Sequence, residues 1–198
     1  MFTGIVEYAG QVHSLTTTAN GCQLTIDAGP VAAGVQPGDS IANNGCCLTV
    51  TNLKGSLLSF DLLEETRRAT NLGDLRPGRK INLERSLTPT SRLGGHFVTG
   101  HIDSTGHIIR WEPEGSDYIL EIEVLPGFER YIVPKGCIAI DGISLTIGRV
   151  HQNRFNVWII PHTLAVTALG ERQVGDRVNL EFDLLAKYAE KLLASRIR

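Results

Sequence analysis

Two short runs of sequence hold the side chains best suited to chemistry, and the two runs resemble each other. Residues 44–50 read Asn-Gly-Cys-Cys-Leu-Thr-Val, and residues 141–147 read Asp-Gly-Ile-Ser-Leu-Thr-Ile. Cys47 therefore occupies the position that Ser144 occupies in the second run, which begins with Asp141 in place of an amide. A thiol is the better nucleophile when part of it is ionised, whereas Asp141 could polarise Ser144 or orient a water molecule. The pattern favours two related sites with different roles.

The same residues also have ordinary structural explanations. A free cysteine such as Cys47 is often a small core residue, and Asp141-Gly142 is a common turn pair. Ser144 and Thr146 could satisfy backbone groups at the end of a strand. A metal site is disfavoured, because adjacent cysteines such as Cys46 and Cys47 point to opposite faces of a strand and do not converge on one ion.

The two runs belong to a duplication that spans most of the chain. Gly45 and Gly142 are 97 residues apart, and Thr3-Gly4 matches Thr99-Gly100 with a slip of one residue. The offset of 97 also relates these positions: Thr66 and Thr163, Thr70 and Thr167, Leu72-Gly73 and Leu169-Gly170, Gly78 and Gly175, and residues 82–84 and 179–181. We therefore predict two tandem domains, at residues 1–96 and 97–193.

Each half is typical of β structure. Short runs rich in Val, Ile, Leu and Thr alternate with turn signals such as Ala19-Asn20-Gly21 and Pro77-Gly78. About six strands fit into each half, and short antiparallel strands lose their exposed edges when they close into a barrel. We predict an all-β fold of two tandem six-stranded antiparallel Greek-key barrels, with one short helix near residues 64–73 and a linker at residues 89–95.

The end of the chain follows a different pattern. Leu184, Tyr188 and Leu192 recur at every fourth residue, and charged side chains such as Lys187 and Arg196 lie outside that stripe. This spacing predicts an amphipathic helix over residues 184–198. The first half contains only linker at the matching place, so the apolar stripe must pack on a barrel or on other subunits, of which subunit contact is favoured.

Composition excludes several classes of protein. The 198 residues carry a net charge of −2 with no run of Lys and Arg, which disfavours nucleic-acid binding. The start of the chain lacks the features of a signal peptide, and no stretch approaches the roughly 18 apolar residues of a membrane span. We expect a cytoplasmic protein with reduced cysteines and no membrane association. Aromatic residues make up only 6% of the chain, so a flat ligand would be held largely by backbone and aliphatic groups.

Four motifs together carry a resemblance to a known family. They are Met-Phe-Thr-Gly-Ile-Val-Glu at residues 1–7, the run at residues 44–50, Gly-Gly-His-Phe-Val-Thr-Gly-His-Ile-Asp at residues 94–103, and Asp-Gly-Ile-Ser-Leu-Thr at residues 141–146. With the duplication, they make residues 1 to about 193 resemble the riboflavin synthases of the homotrimeric, two-barrel type. The resemblance implies a dismutation of two molecules of 6,7-dimethyl-8-ribityllumazine to riboflavin and 5-amino-6-ribitylaminouracil, without metal or cofactor.

The resemblance also implies which residues bind the two substrate molecules. The N-terminal site would use Gly4, Ile5, Val6, Cys47, Leu48, Thr49, Asp61, Leu62, Leu63, Glu64, Glu65 and Thr66. The C-terminal site would use Gly100, His101, Ile102, Lys135, Ser144, Leu145, Thr146, Trp158, Ile159, Ile160, Pro161, His162 and Thr163. The reactive set would be Cys47, His101, Asp141 and Ser144. In this family the working pair of sites joins the N-terminal barrel of one subunit to the C-terminal barrel of a neighbour, and the helical tail assembles the trimer.

Two alternatives stay open. The chain could be a non-catalytic lumazine- or flavin-binding relative, although the reactive set is intact, which favours the enzyme. It could also be a small-barrel nucleic-acid binder, which the charge and the few aromatic residues oppose. His96 and His101 could be satisfied polar residues at a barrel rim, but the Gly-rich setting of His101 favours a functional role.

Overall fold

Strands in both halves bury one face and expose the other, as the period-2 pattern of their apolar residues requires. In the strand Gly21–Asp27, for example, Cys22, Leu24 and Ile26 are buried and the residues between them are not. The computed structural model describes residues 1–18 and 21–194, and within them these strands close into two antiparallel barrels. The predicted all-β, two-barrel fold is confirmed.

Six strands form the first barrel in the spatial order β1-β2-β5-β4-β3-β6. Their bounds are β1 Tyr8–Thr18, β2 Gly21–Asp27, β3 Ser40–Asn43, β4 Cys46–Lys54, β5 Leu57–Leu63 and β6 Lys80–Arg85. Strands β3, β4 and β5 are consecutive neighbours, and β6 returns beside β3, which is the Greek-key connection. The turn predicted at Ala19-Asn20-Gly21 lies largely outside the described residues.

The second barrel repeats this connection. Its strands are β7 Ser104–Glu114, β8 Asp117–Val124, β9 Cys137–Ile140, β10 Ile143–His151, β11 Arg154–Ile159 and β12 Arg177–Phe182. They lie in the order β10-β11-β8-β7-β12-β9, which matches the first barrel strand for strand. The six strands predicted in each half are therefore present among the described residues.

Three helices accompany the barrels in the described part of the chain: α1 Glu64–Ala69, α2 Pro161–Val166 and α3 Leu184–Ala194. The short helix predicted near residues 64–73 is α1, which stops at Ala69 and is followed by a separate 3₁₀ turn at Asn71–Asp74. The predicted C-terminal helix is present as α3, and its expected continuation over residues 195–198, including Arg196, lies outside the described residues. Among the described helices, none combines the length and apolarity that a membrane span needs.

A small third core joins the two barrels. Phe2 and Val98 pair as an isolated bridge, with N–H to O distances of 2.7 and 3.1 Å in the two directions. Both side chains are fully buried against Ala42 and Ala139, and Cys47 packs beside them. The segment that opens each half therefore lies between the barrels instead of inside its own barrel.

Buried asparagines complete the contact between the barrels around a pseudo-two-fold axis. Asn82 Nδ2 donates to the carbonyl of Asp141, and its counterpart Asn179 Nδ2 donates to the carbonyl of Asn44, both at 2.9 Å. Their Oδ1 atoms accept from the backbone N–H of Ala168 and Asn71, respectively. Because buried amides are costly when unpaired, this reciprocal pairing fixes the register of one barrel on the other.

Candidate active site

A gap opens in the second barrel where two neighbouring strands part. Strands β10 and β11 pair as far as Ile147 and Val157, and beyond this pair the two strands are not joined. The gap forms a cavity of about 370 Å³. Its lining consists of Lys135, Ser144, Leu145, Thr146, Ile147, Gly148, Trp158, Ile160 and Thr163. All but Ile147 and Gly148 are residues that the family resemblance implies for the C-terminal site.

Backbone groups face this gap as well as side chains. Ser144 N–H points away from β9, because it donates to the carbonyl of Gly4 at 2.7 Å. Backbone groups of a strand alternate between its two neighbours, so the N–H and C=O of Thr146 also face the gap. A planar ring bearing a row of donors and acceptors can pair with such an edge without any charged side chain.

Gly4 closes one end of the gap, and only glycine fits there. A Cβ on Gly4 would lie 2.6 Å from the Cβ of Ser144, and the φ angle of Gly4 is +76°. Val6, two residues later, packs against the core of the second barrel. Residues 4–6 therefore belong with Ser144, whereas the family resemblance implied that they belong to the N-terminal site.

The first barrel repeats the arrangement with the opposite segment. Cys47 N–H donates to the carbonyl of Gly100 at 2.8 Å, and a Cβ on Gly100 would lie 2.5 Å from the Cβ of Cys47. Ile102 packs against the core of the first barrel, and β4 pairs with β5 only as far as Val50 and Phe60. These contacts argue against grouping the site residues by half of the chain. The segments at residues 4–6 and 100–102 are exchanged between the barrels.

Ser144 has a histidine partner that the sequence analysis did not assign to it. His96 Nδ1 lies 2.7 Å from Ser144 Oγ. The imidazole is buried, its Nε2 has no hydrogen-bond partner among the described residues, and burial lowers the pKa of His96 below its ordinary value. A buried neutral imidazole next to a hydroxyl can accept its proton.

The surroundings of Asp141 differ from those that the sequence suggested. Its carboxylate is 1% exposed, and both oxygens are engaged: Arg172 donates two bonds to Oδ2, at 3.1 and 2.7 Å, and Oδ1 accepts from Asn71 Nδ2 and Asn179 N–H, both at 2.8 Å. This geometry gives no support to the expectation that Asp141 polarises Ser144 or orients a water molecule. Asp141 instead belongs to the contact between the barrels.

The two adjacent cysteines differ in their surroundings. Cys46 is buried, and burial raises the pKa of its thiol to about 12, so it stays protonated. Cys47 is only partly buried and lies against Gly100. Of the two, Cys47 is therefore the more accessible thiol.

The remaining predicted residues surround the two gaps in different ways. Leu62 and Ile159 point into the barrel cores and can offer only backbone groups. Glu64 forms ion pairs with Arg67 and Arg68, and these hydrogen bonds lower the pKa of its carboxyl to about 2. The exposed predicted residues are Ile5, Thr49, Asp61, Leu63, Glu65, His101, Lys135, Thr146, Trp158, Ile160, Pro161 and His162. Leu48 is buried, and Thr66 and Thr163 are half-buried at α1 and α2.

The sequence comparisons find the same duplication. A family model for the lumazine binding domain matches twice, at residues 3–86 and 99–183. A riboflavin synthase of Mycobacterium bovis is 46% identical over 98% of this chain and 99% of its own length. A riboflavin synthase of Bacillus subtilis is 39% identical over 98% of this chain and 90% of its own length.

Solved structures agree in fold. LumP complexed with 6,7-dimethyl-8-ribityllumazine is 25% identical and superposes with a TM-score of 0.83, covering 91% of this chain and 98% of its own. LumP complexed with riboflavin is 26% identical with a TM-score of 0.86, covering 92% and 99%. Both the family model and the full-length relatives therefore match the whole two-barrel unit.

Proposed function

The chain belongs to the lumazine-binding family, and we propose that its two barrels together carry out the dismutation by which riboflavin synthase makes riboflavin. Riboflavin synthases align with the chain from end to end, so it is an enzyme of that kind. Two molecules of 6,7-dimethyl-8-ribityllumazine react in the proposed step. One gives a four-carbon unit to the other, yielding riboflavin and 5-amino-6-ribitylaminouracil.

One observation carries the proposal: a single chain holds two equivalent strand gaps, each closed at one end by a glycine from the opposite barrel. A reaction between two copies of one molecule needs two copies of one binding site. Holding both molecules in register removes the entropy of their encounter, which can be worth roughly 7–11 kcal/mol in favourable systems. Positioning is then the main source of rate enhancement, and the chain supplies it through rigid strands.

The gap of the second barrel is suited to proton transfer. The reaction must remove a proton from the 7-methyl group of one lumazine, and the resulting carbanion delocalises into the ring. Ser144 Oγ faces the gap with His96 behind it at 2.7 Å, so the hydroxyl oxygen can accept the methyl proton while its own proton passes to the neutral imidazole. Lys135 and Trp158, at the rim, would hold the ring and its side chain.

The gap of the first barrel is suited to nucleophilic addition. Cys47 is the accessible thiol, and addition of a thiolate to C7 of the second lumazine would prepare it to receive the four-carbon unit. His101 follows Gly100 directly, and its side chain is exposed, so it is placed to exchange protons with solvent at this gap. Asp61 replaces Trp158 at the equivalent rim position, so the two gaps differ in charge as well as in nucleophile.

We further propose that the working pair of gaps forms between subunits of a homotrimer in the cytoplasm. Helix α3 leaves Leu185, Tyr188 and Leu193 between 59% and 72% exposed, although all three are large apolar or aromatic side chains. Fully burying such a side chain gains about 1.5–3 kcal/mol. This face of α3 is suited to contact with two other copies of the chain.

Conversion of the lumazine tests the function directly. Purified protein incubated with 6,7-dimethyl-8-ribityllumazine should form one riboflavin and one 5-amino-6-ribitylaminouracil for every two substrate molecules, followed by absorbance and chromatography. Binding without any change in the ligand would contradict the enzyme and favour a binding protein like LumP. Sedimentation of the same sample measures the proposed trimer independently.

A further inference from the structure

A buried carboxylate holds the Thr-Gly segment at the start of each half. We define the first Thr-Gly segment as residues 3–4 and the second as residues 99–100. Glu84, on β6, accepts from Thr3 N–H at 2.6 Å, Thr3 Oγ1 at 2.8 Å and Gly4 N–H at 3.0 Å. Glu181, on β12, accepts the equivalent bonds from the second segment at 2.6, 2.7 and 2.9 Å. Both glutamates are at least 94% buried.

Each segment also forms a hydrogen bond with the opposite barrel. The carbonyl of Gly4 accepts from Ser144 in the second barrel, and the carbonyl of Gly100 accepts from Cys47 in the first. Each glutamate is therefore connected through one dipeptide to the gap of the barrel to which it does not belong. Two hydrogen-bonded steps separate Glu84 from Ser144, and two separate Glu181 from Cys47.

We propose that Glu84 and Glu181 are crossed positioning residues: Glu84 of the first barrel sets the geometry of the Ser144 gap, and Glu181 of the second barrel sets that of the Cys47 gap. The inference rests on the proposed function, because it assigns these gaps to the two substrate molecules. It makes neither glutamate a catalytic residue, since neither contacts a gap directly. It also means that neither barrel carries a complete site by itself.

The chemistry of the contact supports a positioning role. All three groups that face each carboxylate donate to it, and charge-assisted bonds of this kind are stronger than neutral ones. Burial raises the pKa of Glu84, and the donors from residues 3 and 4 oppose that rise. Replacement by glutamine keeps the size of the side chain but turns one acceptor oxygen into a donor, which must then face a backbone N–H or the Thr hydroxyl. The segment would lose its fixed position while the barrel core is unchanged.

Amide hydrogen exchange of the full-length protein, in the oligomeric state that it adopts in solution, tests the crossed pattern without substrate. E84Q should speed exchange at the Ser144 amide by about tenfold or more and leave the Cys47 amide within about twofold of wild type. E181Q should do the reverse. E123Q is the matched control, because Glu123 is an exposed glutamate on β8 that pairs with Arg154, and it should change neither amide.

Substrate binding gives a second, site-specific readout. The chain has two tryptophans, and only Trp158 lines the Ser144 gap. In a W111F background, added 6,7-dimethyl-8-ribityllumazine should quench Trp158, and E84Q should weaken this quenching more than E181Q does. Failure of the W111F chain to respond to the lumazine would count against the proposed function, whereas the exchange pattern would still stand on its own.

Several results would overturn the crossed assignment. In E84Q or E181Q, faster exchange only at the amide in the same barrel as the replaced glutamate would be one such result. Equal changes in exchange at the Ser144 and Cys47 amides, or no change at either amide, would be the others. If a glutamine variant does not fold, T3V and T99V remove the hydroxyl that donates to the glutamate and should give the same crossed pattern more weakly. The same hydroxyl also accepts from the N–H of Ile5 or His101, at 3.2 and 3.3 Å, and that local bond is lost with it. T3S and T99S, which keep that hydroxyl, should restore wild-type exchange.

Discussion

Replacing the ion pair between Asp141 and Arg172 with the residues of the first barrel should leave the protein stable. The equivalent positions, 97 residues earlier, hold Asn44 and Leu75. The first barrel therefore has two neutral residues at these positions, and Asn44 Nδ2 donates to Asn71 Oδ1 at 3.3 Å. The second barrel uses two charges that are 1% and 10% exposed. The duplication thus supplies a natural design for the double variant D141N/R172L.

The single variants should be far less stable than the double variant. Either one leaves an uncompensated charge or an unmatched donor in the contact between barrels, and breaking a buried pair in this way costs about 3–5 kcal/mol. The double variant should fall within about 1 kcal/mol of wild type, which gives a coupling energy of several kcal/mol in a double-mutant cycle. Urea unfolding at a fixed protein concentration measures all four free energies of unfolding. As a control, R154L breaks the exposed pair with Glu123 and should cost less than about 1 kcal/mol.

The same variants test whether Asp141 takes part in the reaction. If its role is confined to the contact between the barrels, D141N/R172L should keep the wild-type kcat at a temperature where it is folded. A stable double variant that has lost turnover would refute our account and return Asp141 to the reactive set. A D141N variant as stable as wild type would refute the energetic argument.

Three further outcomes are expected. C47S should lower kcat by about tenfold or more, which corresponds to ~1.4 kcal/mol of transition-state stabilisation, and should change the affinity for the lumazine little. Steady-state and binding assays measure both effects, with C137S as the control. Truncation before Leu184 should abolish assembly and depress activity while each barrel still binds ligand, and a fully active monomer in sedimentation would contradict this. Burial lowers the pKa of His96, so below about pH 6.5 the unfolded chain binds a proton at His96 more readily than the folded chain does. The wild-type protein should therefore lose stability as the pH falls below that value. H96Q should show a shallower loss in urea titrations at several pH values.

The duplication made much of the fold predictable. Aligning the halves predicted the number of strands, their turns and the equivalence of Cys47 with Ser144, because strand period and turn chemistry are local properties. The exchange of the Thr-Gly segments was not predictable in this way. An alignment of the halves treats each half as an independent unit. The sequence of residues 3–4 does not indicate which barrel will donate hydrogen bonds to their carbonyls.

The ion pair of Asp141 was missed for a different reason. The change from Asn44 to Asp141 indicated different chemistry in the two halves, but the matching change from Leu75 to Arg172 at the same offset was also in the sequence. A buried carboxylate that appears together with an arginine is more simply explained as a pair than as a catalytic group. His96 was weighed only as a polar residue of the barrel rim, since its partner Ser144 is brought near by the fold and not by spacing.

The symmetry of this molecule is broken in two distinct ways, and only one of them bears on the proposed reaction. At the contact between the barrels, the second half adds two opposite charges, Asp141 and Arg172, which neutralise each other, so the net charge there is the same in both halves. At the gaps, three pairs of equivalent positions differ between the halves: Gly38 and Lys135, Cys47 and Ser144, and Asp61 and Trp158. No second change cancels these differences. Two identical substrate molecules that must react as donor and acceptor need sites with the same shape and different chemistry. The duplicated backbone supplies the first requirement, and the uncompensated side chains at the gaps supply the second.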